Sequence, residues 1–228
     1  MDKSIVLCSG GLDSSVLAYY VKKILNYGEV KVLFFDYGQK TSKEEEKAAW
    51  FCSRKIGAKF YKINIRDRAF YNLIASQSKP KRLKREDLKD TKKESEKWYV
   101  PARNFILLSY AISIAEADYV RDKKKSEIFV GFKHEGKEFY PDTTQEFLDL
   151  LNKLNNKATY SHVKVKAPFI KHDKEDIIEI GNKLGVELEK TFSCYVGSRV
   201  HCGICLACML RKEGFHWANI EDETSYMS

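Results

Sequence analysis

Ser4–Cys8 is a short apolar run that halts at Gly10 and Gly11, and helical spacing takes over from Asp13. A buried run of that length, two glycines and then a 3.6-residue pattern read as strand, tight turn and helix. The same alternation continues along the chain. Val30–Gly38 reads as a second buried strand. A helix follows over 41–57, with Thr41 or Ser42 as its cap, glutamates in its first turn and Gly57 as its terminator. Residues 58–65 read as a third strand, 101–117 as a long helix opening near Pro101, and Ser126–Phe132 as a fourth strand. An amphipathic helix over 143–156, an extended stretch over 163–169 and a helix capped by Asp173 complete the series. Strands alternating with helices predict an α/β fold: a doubly wound, mostly parallel, Rossmann-like sheet with ligands bound outside the carboxyl ends of its strands.

The 228 residues suit one generous domain with a small appendage, and aromatic residues at 13% give it material for a core. No stretch approaches the roughly 20 apolar residues of a membrane helix, so no membrane partner is expected. The first residues lack the apolar core and cleavage site of a secretory signal, which makes the cytoplasm the expected compartment. A net charge of +8 favours acidic ligands without choosing among nucleotides, carboxylates and nucleic acid. Much of the excess lies in a basic loop at 78–97. The stretch Lys79–Lys97 has no aromatic residue for base stacking, so it reads as a solvated or mobile loop rather than a nucleic-acid arm.

Glycines at the first turn let the backbone approach a ligand while the following helix aims unpaired N–H groups at it, which makes an anion cradle. A Walker A loop is excluded, because no lysine occurs between Lys3 and Lys22; adjacent glycines exclude the G-x-G-x-x-G fingerprint. An ordinary turn capped by Ser9 and Ser14 is the plain alternative. Ser-Gly-Gly-x-Asp-Ser after a first strand resembles the pyrophosphate loop of the ATP-pyrophosphatase (PP-loop) superfamily. That resemblance implies an ATP site made of Cys8, Ser9, Gly10, Gly11, Leu12, Asp13, Ser14, Ser15, Val16, Leu17 and Ala18, with Asp13 helping to place magnesium. It also implies that 1–190 form an adenine nucleotide alpha hydrolase-like domain, with 191–228 as a metal-binding segment of the same domain.

Four further stretches narrow the resemblance: FDYGQK (Phe35–Lys40), VPARNFILLSYA (Val100–Ala111), YPD (Tyr140–Asp142) and TFSCY…CGICLACMLRKEGF (Thr191–Phe215). In this order they resemble the 7-cyano-7-deazaguanine synthase (QueC) family over nearly the whole chain. The resemblance implies an ATP-dependent C–N ligase that turns 7-carboxy-7-deazaguanine and ammonia into the nitrile through an adenylated acid and an adenylated amide, in the supply of queuosine-type 7-deazapurines. It implies catalytic roles for Asp13, Arg103 and Lys174, an adenosine side at Asp36, and substrate contacts from Arg103, Asn104 and Asp142. A homodimer is implied by the family's habit, and nucleic acid is not an expected partner. The chain departs from the family over Gly131–Asp142, where Lys133, His134 and Phe139 replace the usual residues and leave the carboxylate open. Two alternatives stand beside this reading within the superfamily: a paralogue acting on another carboxylate, and a tRNA thiolase. A nonenzymatic zinc ribbon binding nucleic acid is the alternative from another class.

Six cysteines divide into four and two. Cys194, Cys202, Cys205 and Cys208 form C-x7-C-x2-C-x2-C, and such a set closes a tetrahedral zinc shell, structural because no position is left for water. An iron–sulfur cluster and a set of buried or redox thiols are the alternatives. His201 and His216 are surplus to a four-sulfur shell and are expected at the surface or behind the ligands. Cys8 and Cys52 are expected in the core.

Overall fold

A computed structural model of the chain describes residues 3–65, 82–89, 91–133, 140–196 and 199–227. Strands β1 (Lys3–Leu7), β2 (Glu29–Asp36), β3 (Lys59–Asn64), β4 (Ser126–Phe129) and β5 (Val165–Lys166) form one sheet in the order β3-β2-β1-β4-β5, every pairing parallel. The helices are α1 (Leu12–Lys23), α2 (Ser42–Lys55), α3 (Lys92–Glu96), α4 (Arg103–Asp122), α5 (Gln145–Ala158), α6 (Lys174–Lys183) and α7 (Leu206–Trp217). From β1 the chain winds outward through β2 to β3, then returns to β4 on the other side. The expected doubly wound α/β fold is therefore present, with its topological switch beside β1, where such sheets open a crevice.

The two faces follow from the alternation of side chains along buried strands. Val6, Val32, Phe34 and Phe129 point to one face and pack with Val16 and Leu17 of α1, Ala49 of α2, Ile177 and Ile178 of α6, and Phe215 of α7. Ile5, Leu7, Leu33, Phe35 and Ile128 point to the other and meet Leu108 and Ala111 of α4 and Leu148 and Leu151 of α5. Among the described residues no helix is long and apolar enough to cross a membrane.

Three elements differ from the sequence expectation. The long helix begins at Arg103 rather than near Pro101, because Ala102 adopts a left-handed backbone (φ 54°), and it runs on to Asp122. β4 stops at Phe129 rather than Phe132, although the Val130 N–H still donates to the Lys166 carbonyl of β5 at 3.0 Å. The basic stretch, in its described part, is no free loop. A 3-10 turn (Arg85–Lys89) and α3 lie in it, Leu83 is buried, the Leu83 N–H donates to the Ile204 carbonyl at 3.3 Å, and Arg85 pairs with Glu213 of α7 at 3.1 Å. One apolar residue and one ion pair thus dock the segment on the C-terminal helix. Residues 78–81 and 90 lie outside the described residues. Helix α7 has no counterpart in the sequence reading, where the cysteines had drawn attention from the apolar spacing of Leu206, Leu210 and Phe215.

Phe129 is fully buried at the end of β4, edge-on to the Tyr27 ring at 5.3 Å. Phe129→Ala is expected to lower unfolding free energy by about 3–5 kcal/mol in urea titrations. Val120→Ala, at a residue 54% exposed on α4, is expected to stay within about 0.5 kcal/mol.

Candidate functional site

The loop after β1 is shaped by what it packs against. Gly10 has φ +78°, and a Cβ there would lie 2.3 Å from the Glu45 carbonyl and 2.8 Å from the Ala49 nitrogen, so only glycine lets the loop lie on α2. The Gly10 carbonyl accepts the Phe192 N–H at 2.8 Å, which ties the C-terminal segment to the loop. Helix α1 starts at Leu12 behind Gly11, which has no capping side chain, and the Leu12 N–H reaches only the Ser193 hydroxyl, at 3.5 Å. That N-terminus with its positive dipole end faces a cavity of about 410 Å³ outside the carboxyl ends of β1, β2 and β4.

Charged groups come to this cavity from five helices, α1, α2, α4, α6 and α7. Lys174, the first residue of α6, donates to both carboxylate oxygens of Asp13 at 2.7 and 2.6 Å. Its stem crosses α7 at Gly214, where a Cβ would lie 2.3 Å from Lys174 Cγ. From the first turn of α4, Arg103 lays its guanidinium 5.9 Å from the centre of the Tyr37 ring, with Nη1 donating to the Tyr37 hydroxyl at 3.4 Å. Among the described residues Arg103 makes no ion pair with a carboxylate. Asp142 accepts from the Asn104 backbone N–H at 3.0 Å and from Asn104 Nδ2 at 3.3 Å, and so caps a helix whose own N-cap residue, Ala102, has no side chain to do it. Glu45 on α2 accepts from Gln39 Nε2 at 3.0 Å and from the Thr41 hydroxyl, and burial pushes its carboxyl up despite Arg103 nearby. Burial likewise raises the Tyr37 phenol. The outer wall is aromatic: Tyr99 stacks on Tyr140 at 5.4 Å, and Trp98 meets Tyr195 at 4.9 Å.

Behind the loop lies the cysteine cluster. The sulfurs of Cys194, Cys202, Cys205 and Cys208 lie within 4.8 Å of one another, all four residues buried, with Cys202 and Cys208 at 3.9 Å. A tetrahedral ion with bonds of about 2.3 Å spaces its sulfurs roughly 3.8 Å apart, so the cluster fits a metal. Hydrogen bonds from Cys205 and Cys208, joined by the N–H groups of Cys202 and Val196, hold the Cys194 thiol well below the usual range; the bonds to Cys194 push Cys205 and Cys208 up. His201 is buried rather than at the surface. It stands behind the cluster, its Nε2 accepting the Ser193 N–H at 3.1 Å, and burial brings it down to about 4.

The family profile described as queuosine biosynthesis protein QueC matches residues 3–219. The chain belongs to the QueC family. It is 33% identical to the 7-cyano-7-deazaguanine synthase of Methanothermobacter thermautotrophicus, over 98% of this chain and 99% of that one. Against the synthase of Clostridium kluyveri it is 37% identical over 99% and 98% of the two chains, and against that of Methanocaldococcus jannaschii 36% over 99% of each. Among solved structures, the NMN synthetase of Francisella tularensis covers 97% of this chain and 79% of its own at a TM-score of 0.46 and 12% identity. A 4-thiouridine synthetase–RNA complex with bound ATP covers 85% and 43% at a TM-score of 0.48 and 18% identity.

In this QueC chain the cavity gathers many, though not all, of the residues the sequence singled out. Cys8, Ser9, Gly11, Leu12, Asp13, Ser14, Arg103, Asn104, Asp142 and Lys174 line it. Gly10, Ser15, Val16, Leu17 and Ala18 do not, because the loop packs Gly10 on α2 and the helical period turns the others into the core. Asp36 is also turned away, its carboxylate accepting from the Gly38 N–H at 3.2 Å and lying 3.4 Å from Lys62 Nζ. Cys8 and Cys52 are buried as expected, the Cys8 thiol donating to the Ser14 hydroxyl at 3.6 Å and the Cys52 thiol to the Ser15 carbonyl at 3.7 Å. Of the family departures, Lys133 lines the cavity, while residues 134–139 lie outside the described residues. Sequence reasoning missed Glu45, the aromatic wall, Gly214 and Arg211; the glutamates after Thr41 and the Trp98–Tyr99 pair were visible but carried no spacing that marked a site.

Gly214→Ala is expected to push the Lys174 stem off α7 and break its ion pair with Asp13. The expected reading is loss of at least about tenfold in ATP affinity by calorimetry, set against Coulomb attraction of several kcal/mol between such groups, with an unchanged circular dichroism spectrum.

Proposed function

We propose that this chain makes the nitrile of 7-deazaguanine, using ATP to activate first the carboxylate of 7-carboxy-7-deazaguanine and then the amide formed from it. The observation that carries the reading is the meeting, in one cavity, of a helix N-terminus behind two glycines, the Asp13–Lys174 pair, and Arg103 with no carboxylate partner among the described residues. The loop N–H groups suit the phosphates of ATP. Arg103, a planar cation already fixed on Tyr37, suits the substrate carboxylate. Asn104 and Asp142 present a polar wall to the guanine-like edge, and the Tyr99–Tyr140 stack offers an apolar face to its rings.

In the first half, a carboxylate oxygen attacks the α-phosphorus, pyrophosphate leaves, and ammonia then displaces AMP from the acyl carbon with loss of a proton, giving the amide. In the second, the amide oxygen attacks a second ATP, pyrophosphate leaves again, and loss of AMP and the N–H protons leaves the carbon–nitrogen triple bond. Each activation replaces a poor oxygen leaving group by AMP, while the loop dipoles stabilise charge developing on the phosphates. Asp13 would hold magnesium, which neutralises phosphate charge when bound. Lys174 orients the Asp13 carboxylate, and Arg103 keeps the substrate carboxylate from rotating away. Adenosine would lie along the wall near Tyr37 rather than against Asp36, whose carboxylate is engaged.

Zinc is the ion proposed for the four cysteines, as a structural tie between the segment leading from Phe192 and the start of α7. The closed set of four buried sulfurs does not favour a sulfur-transferring thiolase, which needs an accessible thiolate.

Purified protein given 7-carboxy-7-deazaguanine, ATP, magnesium and ammonium is expected to yield amide and then nitrile by mass spectrometry; absence of both from metal-loaded protein refutes the reading. Chelation is expected to open 191–208 to limited proteolysis before ATP binding is lost, while Cys208→Ala is expected to copurify without zinc by elemental analysis.

A further inference from the structure

Arg211 has the largest fully buried side chain in the described protein, 1% exposed, yet it lines the nucleotide cavity. A guanidinium has five N–H groups. Here Nε donates to the Thr224 hydroxyl at 3.0 Å, Nη1 to the hydroxyls of Thr191 at 2.7 Å and Ser193 at 3.4 Å, and Nη2 to the Leu188 carbonyl at 2.6 Å. Every one of these acceptors is neutral. Asp222 forms an ion pair with Arg211 at 3.8 Å from Nε without a hydrogen bond, and its carboxylate is shared with the Thr224 N–H and the Tyr226 hydroxyl. Taking a cation out of water costs several kcal/mol unless an anion compensates it. A fold that needed only a staple at this point could use a neutral amide.

The surroundings indicate which further anion the cavity would bring to it. Ser193, which Arg211 holds, accepts the N–H of Leu12 in the loop, and the Asp13 carboxylate is among the charges that act on Arg211. Helix α7, which carries Arg211, starts at Cys205, so the cysteine cluster fixes its axis. Lys40, Arg103, Lys133, Lys174 and Arg211 line the cavity against Asp13, Glu45 and Asp142, leaving an excess of positive charge. A polyphosphate supplies what that excess lacks.

We propose that Arg211 is the fixed cation of the phosphate end of the site, acting through its charge on the β- and γ-phosphates and on the departing pyrophosphate from behind the loop. It rests on the ATP reading above and adds a residue and a role to it. Arg211 keeps its N–H groups on the protein and lends its field, so its effect scales with the charge of the ligand: large for ATP and pyrophosphate, small for AMP. The metal segment thereby acquires a function in nucleotide binding, because it sets the position of this charge.

The test compares ATP, pyrophosphate and AMP binding by calorimetry in the full metal-loaded chain and in Arg211→Met and Arg211→Lys, with zinc content measured for each. Arg211→Met is expected to lose about tenfold or more in ATP and pyrophosphate affinity, to keep AMP affinity close to that of the unaltered chain, and to retain its zinc; Arg211→Lys is expected to recover part of the loss. Equal weakening of AMP and ATP, or no weakening of either, would overturn the proposal and leave Arg211 a packing residue. Should Arg211→Met not fold, Thr224→Val removes one neutral acceptor and leaves the cation. It is expected to keep the preference for ATP over AMP, and loss of that preference would overturn the proposal. If the unaltered chain binds neither ATP nor pyrophosphate, the ATP reading fails and this inference with it; if it binds both and Arg211→Met matches it, only this inference fails.

Discussion

The hydrogen bond from the Phe192 N–H to the Gly10 carbonyl joins the two halves of the site. On one side of it lies the loop that β1 delivers at the switch in the sheet, pressed so closely on α2 that residue 10 has no room for a side chain. On the other side lies a segment that contributes no strand to the sheet and is organised by four sulfurs. Neither half makes the cavity alone. The loop gives a helix N-terminus and Asp13; the C-terminal half gives Ser193 to the first helical N–H, Arg211 behind it, and the bare Gly214 over which Lys174 passes. The sheet positions the loop, and the cysteine cluster positions what the loop faces.

Much of this was legible in the sequence because its signals are local. Alternation of buried runs with 3.6-residue patterns marked the strands and helices, and the double glycine after the first run marked the loop. The four cysteines declared themselves by spacing. What escaped depends on contacts between distant residues. Nothing near Lys174 in the sequence says that it meets Asp13, 161 residues away. Arg211 looked like one of many basic residues, and Gly214 like an ordinary helix-weakening glycine, until α6 and α7 were seen to cross there. The left-handed Ala102 gave no warning either, since alanine usually avoids that conformation; Asp142, from a separate turn, supplies the cap that lets α4 start after it. The basic stretch misled because its charge hid two apolar facts, a buried Leu83 and a following Trp98–Tyr99 pair that forms a cavity wall.

Electrostatics complete the division of labour. The carboxylates at the site are all engaged: Asp13 by Lys174, Asp142 by Asn104, and Glu45 by Gln39 and Thr41. Among the described residues, Arg103 and Arg211 donate their hydrogen bonds to neutral groups, with Asp222 in an ion pair 3.8 Å from Arg211 Nε. A site built this way is pre-organised for anions at both ends, one suited to a carboxylate and one to phosphates, and need not rearrange its own ion pairs to receive them.

The dependence of Gly10 on Phe192 also sets an order of assembly. Cys208 leaves the ribosome about 200 residues after Ser9, an interval of roughly 10–40 s at 5–20 residues per second. Throughout it, β1, α1 and β2 are available to pair and pack, while the loop N–H groups have neither Ser193 nor Arg211 behind them. The long-range contact forms last, in keeping with the slow closure of such loops. The phosphate end of the cavity is therefore completed only once the C-terminal segment has been made.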